Sequence, residues 1–374
     1  MRERKKICIC FPFMGDSIGG SHLSALELIK RLDNFYFYPL IVLHKKGILY
    51  NYLKRRKISF FFLPLKYFVG NKKGIFLNIK NLFLNFYKLK SFLNKNSIQF
   101  VHSNDSSIHL NWIIASKFSK CKFFWHLRIK FPDWRLYKIL INFSDKIICI
   151  SRYVYNTVPN KLKFKSVIIY NPISLLDKIE NKNEKILISK FSKFRNKKKI
   201  LFMANIIESK KLDIFVKSAL EIFKKKNFIF IIIGSDKYKI FNKIFSNLKN
   251  KKFKKNIFFL NYSYNINYWL KNVDILLVPA INEGHNRTIV ESMLAKLPVI
   301  ASNSGGHKET IINKKNGWLF RTNNYTELAK LTLNFFKLSK SKKEKIKIHA
   351  YKTAFNKFNP EKNKKKIENL YRNI

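Results

Sequence analysis

The sequence predicts an α/β protein made of two doubly wound domains. Three observations carry this expectation. Short apolar runs alternate with amphipathic segments almost from end to end. The runs are apolar throughout, as strands of a parallel sheet covered on both faces are. The alternation stops in a polar, lysine-rich stretch at 175–199 and then restarts. A chain of 374 residues is also long for one core and fits two.

The first strand is "KICICFPF". Behind the basic start it has the outline of a signal peptide. The apolar run is short, however, leads to Gly15 and Asp16, and has no small-residue cleavage site, so a buried strand is expected. "GGSHLSALELIKRL" sets Ala25, Leu28, Ile29 and Leu32 on one helical stripe. "YPLIVLH", "IQFVHSN", "CKFFWHLR" and "DKIICIS" are the next strands, and "KSVIIYNPI" closes this half. After the break, "KILFMANI" is a strand and "KKLDIFVKSALEIF" a helix, followed by the strands "NFIFIIIG", "KNIFFLNY" and "VDILLVPA". A helix from about Arg287 to Lys296 carries Val290, Met293, Leu294 and Leu297 on its apolar stripe. "PVIASNSGG" is strand then turn, "NGWLF" is a short strand, and the chain is mostly helical from about Glu327. The expected domains are 1–180 and 199–354, joined by a linker at 181–198. A helical tail, 355–374, is expected to pack back toward the first domain. Ligands of such sheets sit at the carboxyl ends of the strands where strand order reverses. With two domains, a cleft between them is the expected site.

Lys plus Arg number 75 against 22 Asp plus Glu, a formal charge of +53. Such a surface attracts polyanions: nucleic acid, anionic lipid head groups or phosphorylated substrates. Codon bias explains the charge equally well, because Lys, Asn, Ile and Phe, all abundant here, share A/T-rich codons. Cys8, Cys10, Cys121 and Cys149 form no CxxC pair and are expected to be buried free thiols in a reducing cytoplasm. No apolar stretch approaches the roughly 18–20 residues that cross a bilayer. The protein is therefore expected in the cytoplasm, free or lying on the inner face of the cytoplasmic membrane.

Gly19-Gly20-Ser21 follows a strand and opens a helix, where a bare backbone and free N–H groups favour an anion; an ordinary tight turn has the same look. His126, followed by Arg128, ends a strand at the sheet's carboxyl edge and is either a site residue or a satisfied structural histidine. His22, His102, His285 and His307 show no paired-ligand spacing, so no metal site is expected. Glu283 lies in the loop after "DILLVPA", and Glu291 on the helix that comes next. Between them, the N–H groups of Gly284, His285, Asn286, Arg287 and Thr288 lead into the helix start. Two carboxylates so placed can take hydroxyls of a sugar and of a ribose while the N–H groups meet phosphate. The alternative is a capping carboxylate and a solvated helix Glu.

The block "DILLVPAINEGHNRTIVESMLAKLPVIASNSGGHKETI", with its E-x7-E spacing and "NGWLF" after it, resembles the donor-binding core of retaining glycosyltransferases of family 4, which have the GT-B fold. "GGSHLSALELIKRL", "FFWHLR", "ICISRYVYNTV" and "VIIYNPI" resemble that family's N-terminal elements, so the likeness runs from about Ile7 to Phe320. It implies GT-B architecture, two Rossmann-like domains facing each other across a cleft. It implies that Glu283 holds hydroxyls of the donor sugar and Glu291 the ribose. Lys210 meets the diphosphate, His126 orients the transferred sugar, and Gly19 and Gly20 approach the donor phosphates. Lys211 stands where the family often has glycine. Asn205 stands where it commonly has an arginine, and an amide cannot supply the bidentate guanidinium that suits phosphate. Arg287 or Lys211 is the candidate to compensate.

The likeness also implies an activity: retaining transfer of a sugar from a nucleoside diphosphate sugar to a glycan or lipid-linked acceptor in cell-surface polysaccharide synthesis. The donor is a substrate, and neither cofactor nor metal is expected. The acceptor falls to the first domain, where "YLKRRKISFFFLPLKYF" and "KNLFLNFYKLKSFL" are basic and aromatic, as segments on anionic lipid are; half-buried helices with solvated basic faces read the same way. A GT-B epimerase, a phosphorylase and an inactive relative are the near alternatives. A basic nucleic-acid-binding protein is the distant one, and with no RNP, helix-turn-helix or zinc-finger pattern no specific nucleic acid is expected.

Overall fold

The computed structural model describes residues 6–69, 74–106, 108–175, 191, 194–225, 227–261, 263 and 265–373. Most of the expected linker lies outside them. The chain divides into two compact units, residues 1–172 with 360–374, and residues 173–359. These divisions differ from the expected 180, 198 and 354. Backbone pairing just past the division explains why: the N–H of Ile173 donates to the carbonyl of Phe358 at 3.3 Å, so both ends of the second unit close on each other.

The first unit holds β1 (Ile7–Phe13), β2 (Phe37–Leu43), β3 (Phe61–Phe62), β4 (Phe100–Ser103), β5 (Lys122–Leu127), β6 (Lys146–Cys149) and β7 (Ser166–Ile168). They form one parallel sheet in the order β3-β2-β1-β4-β5-β6-β7. Helices cover both faces, which is why β1 and β4 to β6 are buried at nearly every position. Helix Gly20–Arg31 buries Ala25 and Leu28 against the sheet, and Leu32 just past its end joins them, while Ile29 stays at the margin. The C-terminal helix, Pro360–Arg372, belongs to this unit. Arg31 meets Glu361 at 2.8 Å, Glu368 accepts from the N–H of Asp33 at 2.9 Å, and Tyr371 is buried among Phe37, Phe100 and Phe124. All four cysteines are buried and free, and burial raises their thiol pKa values.

The second unit holds β8 (Lys198–Met203), β9 (Phe228–Ile233), β10 (Ile257–Leu260), β11 (Ile275–Val278), β12 (Val299–Ser302) and β13 (Trp318–Phe320). Their order is β10-β9-β8-β11-β12-β13, again all parallel. Strand order therefore reverses between β1 and β4 in the first sheet and between β8 and β11 in the second. A doubly wound sheet opens its ligand crevice at the carboxyl ends of such a strand pair.

Candidate active site

Two loops leave the carboxyl ends of β8 and β11. The first makes a tight turn at Glu208–Lys210 and passes Lys211 in the left-handed conformation, φ +55°, before helix Leu212–Phe223. A left-handed lysine is strained where glycine is not. The second loop is drawn to the first by one backbone hydrogen bond, from Ile281 N–H to the Ser209 carbonyl at 2.9 Å. That tether brings Lys210 and Glu283 together: Lys210 Nζ donates to Glu283 Oε1 in a close ion pair. The two side chains are 18% and 17% exposed, dry enough for their charges to act strongly and open enough to meet a ligand.

The glycine pair supports this loop from below. Gly306 N–H donates to the Glu283 carbonyl at 2.8 Å. Gly305 has φ +56°, and a Cβ on it would stand 2.4 Å from that same carbonyl oxygen; a Cβ on Gly306 would stand 2.4 Å from the carbonyl of Gly284. Only bare backbone lets the two loops stack so closely. His307 is fully buried beside them, with Nδ1 at 3.0 Å from the Ser302 carbonyl. Burial lowers its pKa to about 4, with the Glu283 charge pulling weakly the other way, so it is neutral.

Helix Arg287–Leu294 starts where its sequence says it should. Asn286 caps it, its Oδ1 accepting from the N–H of Ile289 at 3.3 Å. Val290, Met293 and Leu297 are buried, with Leu294 at the margin. Glu291 is also buried and pairs with Arg287 Nε at 2.6 Å one turn back. Burial raises the Glu291 pKa, and Arg287 opposes the shift. Arg287 Nη2 also reaches the Ser174 carbonyl at 3.4 Å. Its guanidinium is thus engaged within the protein, which weighs against Arg287 as the stand-in for a strand-end arginine. Gly284 is buried under Gly306, the His285 ring lies 4.8 Å from that of Phe358, and Thr288 is part-exposed in the first turn. Asn205 stands exposed just past β8.

In the first unit, Gly19 caps helix Gly20–Arg31 with its N–H on His22 Nδ1 at 3.1 Å. Its φ of −153° is extended backbone that any residue adopts, so the glycine here leaves space and relieves no strain. His22 Nε2 stands 3.5 Å from Asp105, which lies just past β4 and also accepts from Met14 N–H at 3.0 Å. The ends of β1 and β4 are thereby tied at the reversal of strand order. His126 is buried in β5. Its Nδ1 lies 3.0 Å from His102 Nε2, and His102 Nδ1 meets the Tyr371 hydroxyl. Burial, and after it the charge of Arg128, lowers the pKa of His102 to about 3 and that of His126 well below 6.5, so both rings are neutral. A phenol that donates to His102 Nδ1 would put the His102 proton on Nε2, facing His126 Nδ1, and so fix the His126 proton on Nε2. His126 Nε2 itself has no hydrogen-bond partner among the described residues. Sequence reasoning missed Tyr371 and Asp105. His102 had a visible signal, since "FVHSN" and "FFWHLR" both end a strand on histidine; Tyr371 had none, lying 269 residues away.

The family model described as "Glycosyl transferases group 1" matches residues 183–353, a stretch that lies within the second unit. An uncharacterized glycosyltransferase of Methanocaldococcus jannaschii is 28% identical over 195 residues, 51% of this chain and 49% of that protein. The poly(ribitol-phosphate) alpha-N-acetylglucosaminyltransferase of Staphylococcus aureus is 25% identical over 138 residues, 36% of this chain and 28% of that protein. The chain thus spans about half the length of the archaeal relative, and less of the staphylococcal one. The structure of Anabaena Alr3699/HepE in complex with UDP and glucose superimposes with a TM-score of 0.81 at 16% identity, covering 98% of this chain and 99% of that one. This likeness shows the fold, that of GT-B glycosyltransferases with two parallel-sheet Rossmann-like domains.

Proposed function

We propose that this chain, with its match to glycosyl transferases group 1, moves a sugar from a nucleoside diphosphate sugar to a hydroxyl of a glycan or lipid-linked acceptor, with retention of configuration. The observation that carries the reading is the Lys210–Glu283 ion pair at the β8/β11 reversal of the second sheet. An ammonium has three N–H donors and Glu283 takes one, leaving donors for a diphosphate. Glu283 keeps lone pairs for sugar hydroxyls. The start of helix Arg287–Leu294 adds oriented N–H groups where phosphate charge is favoured. In the step, the C1–O bond to the diphosphate breaks and its electron pair leaves with the phosphate oxygen. The acceptor oxygen bonds C1 from the same face, and its proton passes to the departing phosphate. Charge grows on the leaving group, so a fixed cation there stabilises the transition state more than the ground state. Lys210 and backbone N–H groups meet that charge, and the reading asks for no metal or cofactor. The acceptor side is assigned to the first unit, and His126 keeps the role that the family likeness implies, orienting the transferred sugar.

A thermal-shift panel of nucleotide sugars with subsequent product analysis tests this, because a ligand that binds only the folded state raises its melting point. UDP-glucose heads the panel, given the UDP and glucose bound by Alr3699/HepE. Release of nucleoside diphosphate only with an acceptor present, and an α-linked product from an α-linked donor, is the expected result. A changed free sugar without acceptor, or a requirement for phosphate, replaces the reading with an epimerase or a phosphorylase.

Two side chains give further expectations. Glu291→Ala strands Arg287 in a nearly dry site and should cost about 3 kcal/mol of stability, read by denaturant unfolding at pH 7. Glu291→Gln, which keeps the shape and an acceptor oxygen, should lose less stability yet weaken nucleotide-sugar binding. Tyr371→Phe frees the tautomer of His102 and hence of His126. It should lower kcat/KM about tenfold in the wild-type background and not at all in a His126→Ala background. Equal losses in both backgrounds would show that Tyr371 only packs.

A further inference from the structure

Helix Ile75–Lys95 is inside out over its first three turns, before Leu89 and Leu93 enter the core of the first unit. Asn78, Asn81 and Asn85, at helical spacing, are buried to 3% exposure or less. Asn81 and Asn85 donate their amides to the carbonyls of Phe68 and Tyr67. On the opposite stripe Phe76 is 85% exposed, Phe83 68% and Tyr87 78%, with Ile79 and Leu84 beside them also exposed. A helix that faced water would carry these sets the other way round. The buried face is fixed by hydrogen bonds the asparagines make, so the apolar stripe is held outward by the fold. Large exposed apolar patches mark interaction surfaces.

Charge identifies the partner. Between Asp33 and Asp105 the sequence has no acidic residue and thirteen lysines and arginines, against 22 acidic residues in the whole chain. Codon bias raises lysine everywhere and does not explain the absence of acids from a tract that includes this whole helix. Lys80 stands exposed on the apolar stripe itself, and Lys88 and Lys90 lie on later turns. A second copy of the same surface would be repelled by it. Nucleic acid would use the aromatic rings but leave Ile79 and Leu84 in water, whereas a hydrocarbon boundary takes both. We propose that helix Ile75–Lys95 docks the first unit onto an anionic lipid surface, its apolar stripe entering the headgroup–acyl boundary and its lysines meeting lipid phosphates. Among the described residues no helix is long and apolar enough to cross a membrane, so this contact would be interfacial.

The test is flotation of the full chain with vesicles of phosphatidylglycerol and phosphatidylcholine, beside phosphatidylcholine alone. Wild type should float with the anionic vesicles. The triple variant Phe76→Ser, Phe83→Ser and Tyr87→Ser, all at exposed positions, should partition at least tenfold less with an unchanged melting point. Lys80→Glu, which leaves the apolar stripe intact, should lower anionic binding alone, and Phe83→Trp should blue-shift on mixing. No flotation of wild type, or equal flotation of the triple variant, overturns the proposal. So does a wild-type dimer without lipid that the triple variant loses, or retention by single-stranded RNA that the triple variant loses while vesicle binding persists.

Discussion

Lys210→Ala is expected to lower kcat/KM for sugar transfer by about three orders of magnitude, mostly in kcat. The magnitude comes from one charge. A cation about 4 Å from a developing anion is worth about 4 kcal/mol at an effective dielectric near 20, and about 1.4 kcal/mol is tenfold in rate. The dielectric is appropriate because the Lys210 side chain is mostly covered and its partner Glu283 equally so. The effect falls on kcat because the phosphate carries more charge as the C1–O bond breaks than in the bound donor. The fold should survive, since Lys210 ends a short turn outside the sheet and the lost pair is still reached by water. Lys210→Arg should recover part of the rate, because it restores charge with a different reach. Single-turnover kinetics with a saturating nucleotide sugar, and a melting curve for each variant, make the measurement. Turnover of Lys210→Ala like that of wild type would remove the proposed site.

Much of the fold is legible locally. The apolar runs mark every strand except β3, because parallel strands buried on both faces leave a continuous signal. β3 escapes because its two residues, Phe61 and Phe62, sit exposed at the sheet edge amid basic sequence. The start of helix Arg287–Leu294 is legible in its apolar spacing, and Asn286 caps it. What sequence does not carry is the bond that makes the constellation: Ile281 to Ser209 joins two distant loops, and it is this bond that sets Lys210 against Glu283. The same holds for Glu291. Its place beside an apolar stripe fits either a ligand contact or a solvated residue, and the structure instead buries it on Arg287, a pairing hidden in the i, i+4 spacing of "RTIVE". The asparagine face of helix Ile75–Lys95 misleads in the other direction, since a periodic apolar stripe is normally taken as the inward one.

The second large effect is on stability and is driven by pH. Five histidines are 2% exposed or less: His44, His102, His109 and His126 in the first unit and His307 in the second. Burial lowers the pKa of His44 to about 4, of His102 and His109 to about 3, and of His307 to about 4, and places His126 well below its ordinary value. In the unfolded chain these rings titrate near 6.5, so below that pH the unfolded state binds protons the folded state refuses. The stabilisation is complete above pH 6.5 and is lost as pH falls toward the folded values near 3 to 4. Each ring contributes a slope approaching about 1.4 kcal/mol per pH unit. At pH 5 His44, His102 and His109 together cost the first unit about 6 kcal/mol, with His126 acting in the same direction, against about 2 for the second. Glu291 moves the second unit the other way, because its raised pKa lets the folded state take up a proton first. With domain stabilities of about 5 to 15 kcal/mol, the first unit should unfold between roughly pH 5 and 6 while the second persists. Hydrogen exchange read by mass spectrometry across pH 7 to 4 resolves the two, since Trp112 bonded to His44 and Trp125 packed on His109 lie in peptides of the first unit alone. His44→Gln and His109→Gln, if they fold, should each shift that transition to lower pH. A single transition of both units below pH 4, or loss of the second unit first, would show that the buried rings do not set acid stability.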